Sequence, residues 1–267
     1  MRTKAIYSIV LITAVILSSC EKVIDYELNT TTSKLVVEAN LTNNPNYSVV
    51  TLSKSKNFTD NNTFEAVSNA LIIIADNNGN ADTLKETQPG TYKPSNIVGV
   101  PGRTYYLTVK TDDEVYTAQS QMPNTVSFDS ISFNSINRFG EITIFPAPHY
   151  QDPANENNYY RFVEYVDGKR STSIFISNDL LYDGQYVNQS LRSFSDDLKI
   201  EPGKTVEILM MTIDENVYQY FNSLSQISGG GPNQSGTPAN PVTNIRGGAL
   251  GYFSASSVQG KSTLYNK

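Results

Sequence analysis

Apolar and polar residues alternate along most of this chain, and one stretch alone keeps a helical period. Lys34–Asn40 reads as a first strand. In Tyr47–Lys54, Val50 and Leu52 fall on one face, with Tyr47, Val49, Thr51 and Ser53 on the other. Leu71–Asp76 and Asn80–Lys85 flank Asn78-Gly79, which predicts a type I′ hairpin because both central residues then need positive φ. Gly90-Thr91-Tyr92 and Pro101-Gly102-Arg103 precede a strand at Thr104–Thr111, where Tyr105, Leu107 and Val109 share a face. Glu114–Gln121 pairs back across Asp112-Asp113. Met122-Pro123-Asn124 ends the run, since proline cannot donate to a ladder.

A second β region begins near Val126. Asp129–Phe133 and Glu141–Phe145 read as short strands, and Pro146–Asn158 as a loop. Tyr159–Val166 and Lys169–Ile176 flank Asp167-Gly168, while Leu180–Tyr182 and Gln185–Val187 flank Asp183-Gly184; both read as tight hairpins. Thr205–Ile213 is the most apolar strand and is expected at the centre of a sheet. Asp214 then caps a helix over 215–228, whose Val217, Phe221, Leu224 and Ile227 form one apolar stripe, expected to pack on the sheet. Gly229–Asn244 follows, sixteen residues without an apolar period. It is either a contact surface for a ligand or receptor, or a disordered linker, and both readings stay open. Asn244–Phe253 re-enters the sheet through Gly247-Gly248, read as a glycine bulge, and Ser254–Tyr265 is the last strand. The expectation is an all-β protein of two β-sandwich domains. Residues 34–122 form the first, immunoglobulin- or transthyretin-like and able to fold as a unit. Residues 126–267 form the second, which carries the helix.

The start of the chain departs from this pattern. Arg2 and Lys4 precede an apolar run, Ala5–Leu17, too short to remain across a bilayer, and Leu17-Ser18-Ser19 leads into Cys20, the one cysteine. This order predicts a lipoprotein signal peptide over residues 1–19, lipid attachment at Cys20, and a polar tether over 20–33. The 248 residues then left would carry 18 Lys+Arg, after loss of Arg2 and Lys4 from 20, against 26 Asp+Glu, a net charge near −8. That balance argues against nucleic acid as a partner. With Cys20 acylated no thiol remains for a disulfide, so burial alone must hold the fold.

Candidate chemistry is sparse. His149, the single histidine, has Asp152 and Glu156 nearby, but no further His or Cys that would complete a metal site. Asp196-Asp197 would point to opposite faces of a strand, unlike a glycosidase pair. Asp76-x-Asn78-x-Asn80 imitates the start of a calcium loop, yet Ala81 and Thr87 stand where an EF-hand needs glycine and glutamate. Arg246-Gly247-Gly248 lacks the strand-to-helix setting of a phosphate loop. The tyrosines recur at strand alternation and are expected in the core or on sheet surfaces. No catalytic residue, metal ligand, cofactor or enzymatic activity is expected, and no ligand-binding residue is named.

Five motifs in order carry a resemblance: Cys20-Glu21-Lys22-Val23-Ile24, Leu35-Val36-Val37-Glu38-Ala39, the Asn78-Gly79 hairpin, Val100-Pro101-Gly102-Arg103-Thr104-Tyr105, and Gly247-Gly248-Ala249-Leu250-Gly251-Tyr252-Phe253. Together they resemble the outer-membrane lipoprotein family catalogued as domain of unknown function 4249, over nearly the whole mature chain. The resemblance implies a lipid-anchored outer-membrane or cell-surface protein of a Gram-negative lineage, often encoded beside TonB-dependent receptors. It brings no known catalytic or binding residues. The expected role is a non-enzymatic binding accessory to such an uptake receptor. The alternative is a structural or adhesive surface spacer, and a hydrolase is least supported.

Overall fold

A computed structural model describes residues 33–56, 64–112, 114–138, 140–193, 198–228 and 240–266. The chain runs through β1 (Leu35–Thr42), β2 (Val49–Lys54), β3 (Leu71–Asp76), β4 (Ala81–Thr83), β5 (Lys85–Gln88), β6 (Thr91–Lys93), β7 (Thr104–Lys110) and β8 (Val115–Gln121). It continues through β9 (Phe128–Arg138), β10 (Glu141–Gln151), β11 (Tyr159–Val166), β12 (Lys169–Arg170), β13 (Phe175–Asn178), β14 (Tyr186–Val187) and β15 (Thr205–Ile213). Helix α1 (Glu215–Ser228), β16 (Ile245–Arg246) and β17 (Leu250–Leu264) complete it. The fold is all-β, with sheets stacked as sandwiches.

Nine strands form one long sheet, in the order β12-β11-β15-β17-β1-β2-β6-β5, with β13 also paired to β11. Two smaller sheets, β16-β8-β7-β3-β4 and β14-β10-β9, complete the layers. Alternation decides what each layer buries. Val37, Leu41, Val50 and Leu52 of the long sheet meet Ile72, Ile74, Tyr105, Leu107 and Val109 in a first core. Tyr160, Phe162, Val206 and Ile208 meet Phe128 and Tyr150 in a second. The opposite face of the long sheet takes α1: Val217, Tyr220 and Phe221 pack on Leu209, Met211, Tyr252 and Val258, as the helical stripe predicts.

Strand β17 joins these cores. Leu250–Ser256 pair in parallel with β1, and Ser257–Leu264 pair antiparallel with β15 on the other edge. Each half therefore leaves one edge without a strand, and side chains fill the gap. Gly251 O accepts from Thr243 Oγ1 (2.6 Å). Phe253 bonds both ways with the Asn244 amide (2.7 and 2.9 Å). Ala255 N donates to Ser120 Oγ (2.8 Å), and Val258 N, beyond the end of β1, donates to Asn43 Oδ1 (2.8 Å). Gly251 is required here. Its φ is +98° and a Cβ would lie 1.9 Å from Val37 O. Residues 251–258 are buried on both faces. Ile245, Ala249, Phe253 and Ala255 belong to the first core, so residues 34–122 have packing partners beyond their own ends.

Local differences from the sequence reading have physical causes. At Asn78-Gly79 only Gly79 takes positive φ, so the turn is not type I′. The Asp76 carboxylate accepts Asn78 N (3.0 Å) and Asn80 N (2.8 Å), which bends the chain into a longer turn closed by Asp76 N to Asn80 O. Asp167-Gly168, with φ of 48° and 76°, has the positive φ at both positions that type I′ needs. Pro146–Gln151 lie in β10 rather than a loop. Pro146 O accepts Leu191 N (2.8 Å), so the proline nitrogen faces the same side, away from β9, and costs the ladder nothing. Leu180–Gly184 form a turn, and β14 pairs with β10 instead of closing a hairpin. Gly247-Gly248 is no bulge within a strand but the corner where the chain leaves the five-stranded sheet at β16 and enters the long sheet at β17.

Two carboxyls set opposite pH dependences. Burial alone would raise Asp76, but bonds from Asn80, Asn78 and Arg103 (2.8 Å) outweigh it and hold it at about 2. Glu164 is 6% exposed, lies on the β11 face of Phe162 and Val166, and has no side-chain partner among the described residues; burial pushes it to about 7. Below the unfolded value both states of Glu164 are protonated. Between 4.5 and about 7 only the unfolded chain ionises. Folding stability should thus fall by about 3 kcal/mol across that window on account of Glu164, and Glu164→Gln should remove that part of the slope; denaturant titrations from pH 4 to 8 check this. A second expectation concerns β17. Residues 34–122 expressed alone should show no cooperative thermal transition, and fusing residues 240–266 after Met122 should restore one. A cooperative transition in the shorter fragment would refute it.

Candidate functional site

Strands β7 and β8 turn Tyr105, Leu107, Val109, Tyr116, Ala118 and Ser120 inward, so Tyr106, Thr108, Thr117, Gln119 and Gln121 face outward. Register sets Tyr106 opposite Gln119 and Thr108 opposite Thr117. The start of α1 (Asp214, Glu215, Asn216) and the re-entering segment Thr243–Arg246 rise beside this surface and leave a groove of about 820 Å³. The side chains of Tyr106, Thr108, Thr117, Gln119, Gln121, Asn216 and Arg246 make no hydrogen bond among the described residues.

One carboxylate builds the floor. Asp214 Oδ1 caps the helix by accepting Val217 N (2.9 Å), and Oδ2 accepts from Ser120 Oγ and from Gln121 N (3.2 Å). Ser120 Oγ in turn accepts Ala255 N. The helix start, β8 and β17 thus share one node. Burial raises the Asp214 carboxyl above the usual range, and its bonds from Ser120, Val217, Gln121 and Asn216 oppose this without cancelling it. The outer edge of β8 is occupied as well: β16 pairs with Thr117 and Ala118, Asn244 Nδ2 donates to Gln119 O (3.3 Å), and Asp214 takes Gln121 N.

The residues singled out from sequence do not assemble into this groove, apart from the helix cap Asp214 in its floor, Arg246 in its lining and the returning end of the long loop. Val242 N donates to Ser223 Oγ (3.0 Å), which ties that end to α1, and Thr243 and Asn244 line the groove. Residues 229–239, Cys20 and Asp196-Asp197 lie outside the described residues. His149 sits on β10 with Nε2 2.7 Å from Ser132 Oγ, and no carboxylate hydrogen-bonds its ring among the described residues. Asp152 is buried, accepting from Tyr160 Oη and from Gly184 N (3.2 Å). It converges with Asp179 and Asp183, not with His149 or Glu156; one oxygen of each of the three lies within 4.8 Å of the others. Such oxygens suit a hard cation. Asn158 N and Asn155 N already engage Asp179 (2.7 Å) and Asp183 (2.8 Å), and these bonds explain the cluster as a clamp on the turns it joins. Burial raises both Asp152 and Tyr160, the latter with a further push from Asp152. The groove escaped the sequence reading because its walls come from distant segments. Its one legible signal was the Tyr106-x-Thr108 and Thr117-x-Gln119-x-Gln121 alternation on paired strands.

Asp214→Ala should remove the helix cap and strand the Gln121 N–H, costing about 1–3 kcal/mol. Asp214→Asn should cost less, because one oxygen still accepts. Equilibrium denaturation measures both, and an Ala variant as stable as the parent would show that the node is not structural.

No curated protein matches the sequence. Residues 21–262 match the model of a family described as a domain of unknown function, DUF4249, a span that includes every strand of the first sandwich, the groove and nearly all of β17. The chain belongs to the DUF4249 family.

Proposed function

We propose that the protein is a lipid-anchored outer-membrane component, held at Cys20, that serves as a non-enzymatic binding accessory to a TonB-dependent uptake receptor. The observation that carries the binding role is the groove over β7 and β8: seven polar side chains without hydrogen-bond partners among the described residues surround a concave surface held by the half-buried Asp214 node. The anchoring half of the reading is supported by the order of Arg2, Lys4, the Ala5–Leu17 run, Leu17-Ser18-Ser19 and Cys20. Several acyl chains, each stabilising by about 0.8 kcal/mol per buried CH₂, would hold the protein in the membrane. Shared tethering would then raise the effective concentration of a weak contact to about the millimolar range.

Fractionation tests both halves. The wild-type protein should sediment with outer membranes, carry an acyl mass increment at Cys20 and co-purify with a barrel receptor after detergent solubilisation. Cys20→Ala should keep residues 1–19 and lose the increment. Wild-type protein free in the periplasm without acyl chains would overturn the anchoring. Anchoring without any receptor would leave the sandwiches as a surface spacer and overturn the accessory role.

A further inference from the structure

We infer that the groove over β7 and β8 is a glycan-binding site that takes a neutral oligosaccharide along the strand direction. This deepens the binding role proposed above and rests on the groove being the binding surface. Four features of the groove select the ligand class.

The first is Tyr106. It is 44% exposed, while its neighbour Tyr105 is fully buried, so its ring remains accessible in the groove. A pyranose offers an apolar C–H face with hydroxyls around its rim, which suits an aromatic face bordered by polar groups. Gln119, directly opposite Tyr106 in register, supplies such a border.

The second is the type of the uncommitted groups. Thr108 and Thr117 hydroxyls and the Gln119, Gln121 and Asn216 amides each offer donor and acceptor together. A hydroxyl ligand, itself donor and acceptor, can satisfy them in either sense. A ligand of one polarity would leave half of them unpaired.

The third is charge. Arg246 is the one cation in the lining, against Asp214 and Glu215, and the chain as a whole is acidic. A phosphate or carboxylate ligand would meet no cationic cluster. A cationic ligand would find the Asp214 oxygens already engaged, which leaves Glu215 as the one other acid in the lining, countered there by Arg246.

The fourth is the closed edge of β8. Strand addition by a peptide needs free main-chain groups, and β16, Asn244 and Asp214 occupy those of residues 117–121. What stays open is the row of side chains. Its rungs, Tyr106–Gln119 and Thr108–Thr117, repeat every two residues, about 6.8 Å apart, which fits a linear ligand of repeating polar units.

The test is a glycan array carrying neutral, sialylated and sulfated oligosaccharides, probed with the full mature protein in detergent. Neutral glycans should be retained. On the glycan bound best, Tyr106→Ala should weaken affinity about tenfold or more, Tyr106→Phe should stay within about threefold, and Thr117→Arg should block the groove. These positions are exposed or half-exposed, so the melting temperatures should stay at the parent value, which separates lost binding from lost folding. Retention of no neutral glycan, retention of acidic glycans alone, or unchanged binding by Tyr106→Ala would each overturn the inference. A receptor-associated protein that binds no glycan would overturn this inference and leave the accessory role standing. Glycan binding by a protein found free in the periplasm would do the reverse.

Discussion

Strand β17 must satisfy its backbone while its pairing partner changes partway along. Between Ser256 and Ser257 the strand neighbour passes from β1 on one edge to β15 on the other. A buried amide or carbonyl without a partner costs on the order of 1–3 kcal/mol, and several in one strand would exceed the margin of an ordinary domain. Thr243 and Asn244, Ser120 and Asn43 meet this demand from three separate places in the chain. The remaining architecture follows from it. Because Asn244 and Thr243 must reach β17, the segment after α1 returns close to β8. Because Ser120 must reach Ala255, its hydroxyl proton is left for Asp214, and Asp214 then fixes the start of the helix. The groove is the space left between elements placed for these reasons.

Much of the fold was legible because alternation reports burial directly. Tyr105, Leu107 and Val109, or Val50 and Leu52, could face only inward once their strands were placed. Thr205–Ile213 could only be central, being apolar on both faces, and it lies between β11 and β17. Turn chemistry was legible where the dipeptide acts alone. Asp167-Gly168 holds positive φ at both positions, but at Asn78-Gly79 the upstream Asp76 competes for the turn amides and wins with help from Arg103. Proline signals failed for a related reason. Pro146 and Pro148 stop a strand only when their nitrogen faces a neighbour, and which edge is free depends on sheet order.

The candidate site was almost illegible, since its coherence lies in contacts between residues such as Ser120 and Asp214, 94 apart in sequence. Serine on an inward strand position reads as a small core residue, and aspartate before a helix reads as a cap. Each assignment is correct and incomplete, because one hydrogen bond joins them and adds β17. The lone histidine is conspicuous for its rarity, yet it lies on a sheet bonded to Ser132, with no carboxylate to orient it among the described residues. Tyr106 is inconspicuous in the sequence, because one outward tyrosine in a strand is ordinary until its neighbours in register are known.

Polar groups at the junction also fix which way the chain lies. Ser254, Ser256 and Ser257 are buried with hydroxyls unpartnered among the described residues, and they stand opposite Asn40, Thr42 and Thr212. Larger apolar side chains would avoid those unpaired hydroxyls but would overfill a strand covered on both faces. Small side chains alone would leave register weak, since β17 could slide with little loss of packing. Anchors on its two faces prevent this. Tyr252 packs against the rings of Tyr220 (4.8 Å, tilted) and Phe221 (4.8 Å, edge-on) on the helix side, while Phe253 is fully buried in the first core on the other. A slip of one residue would exchange these two faces, move Gly251 from its contact with Val37 O, and separate Ala255 from Ser120. The helix cap, the groove floor and the first core would be lost together, so the register of one strand determines whether the binding surface exists.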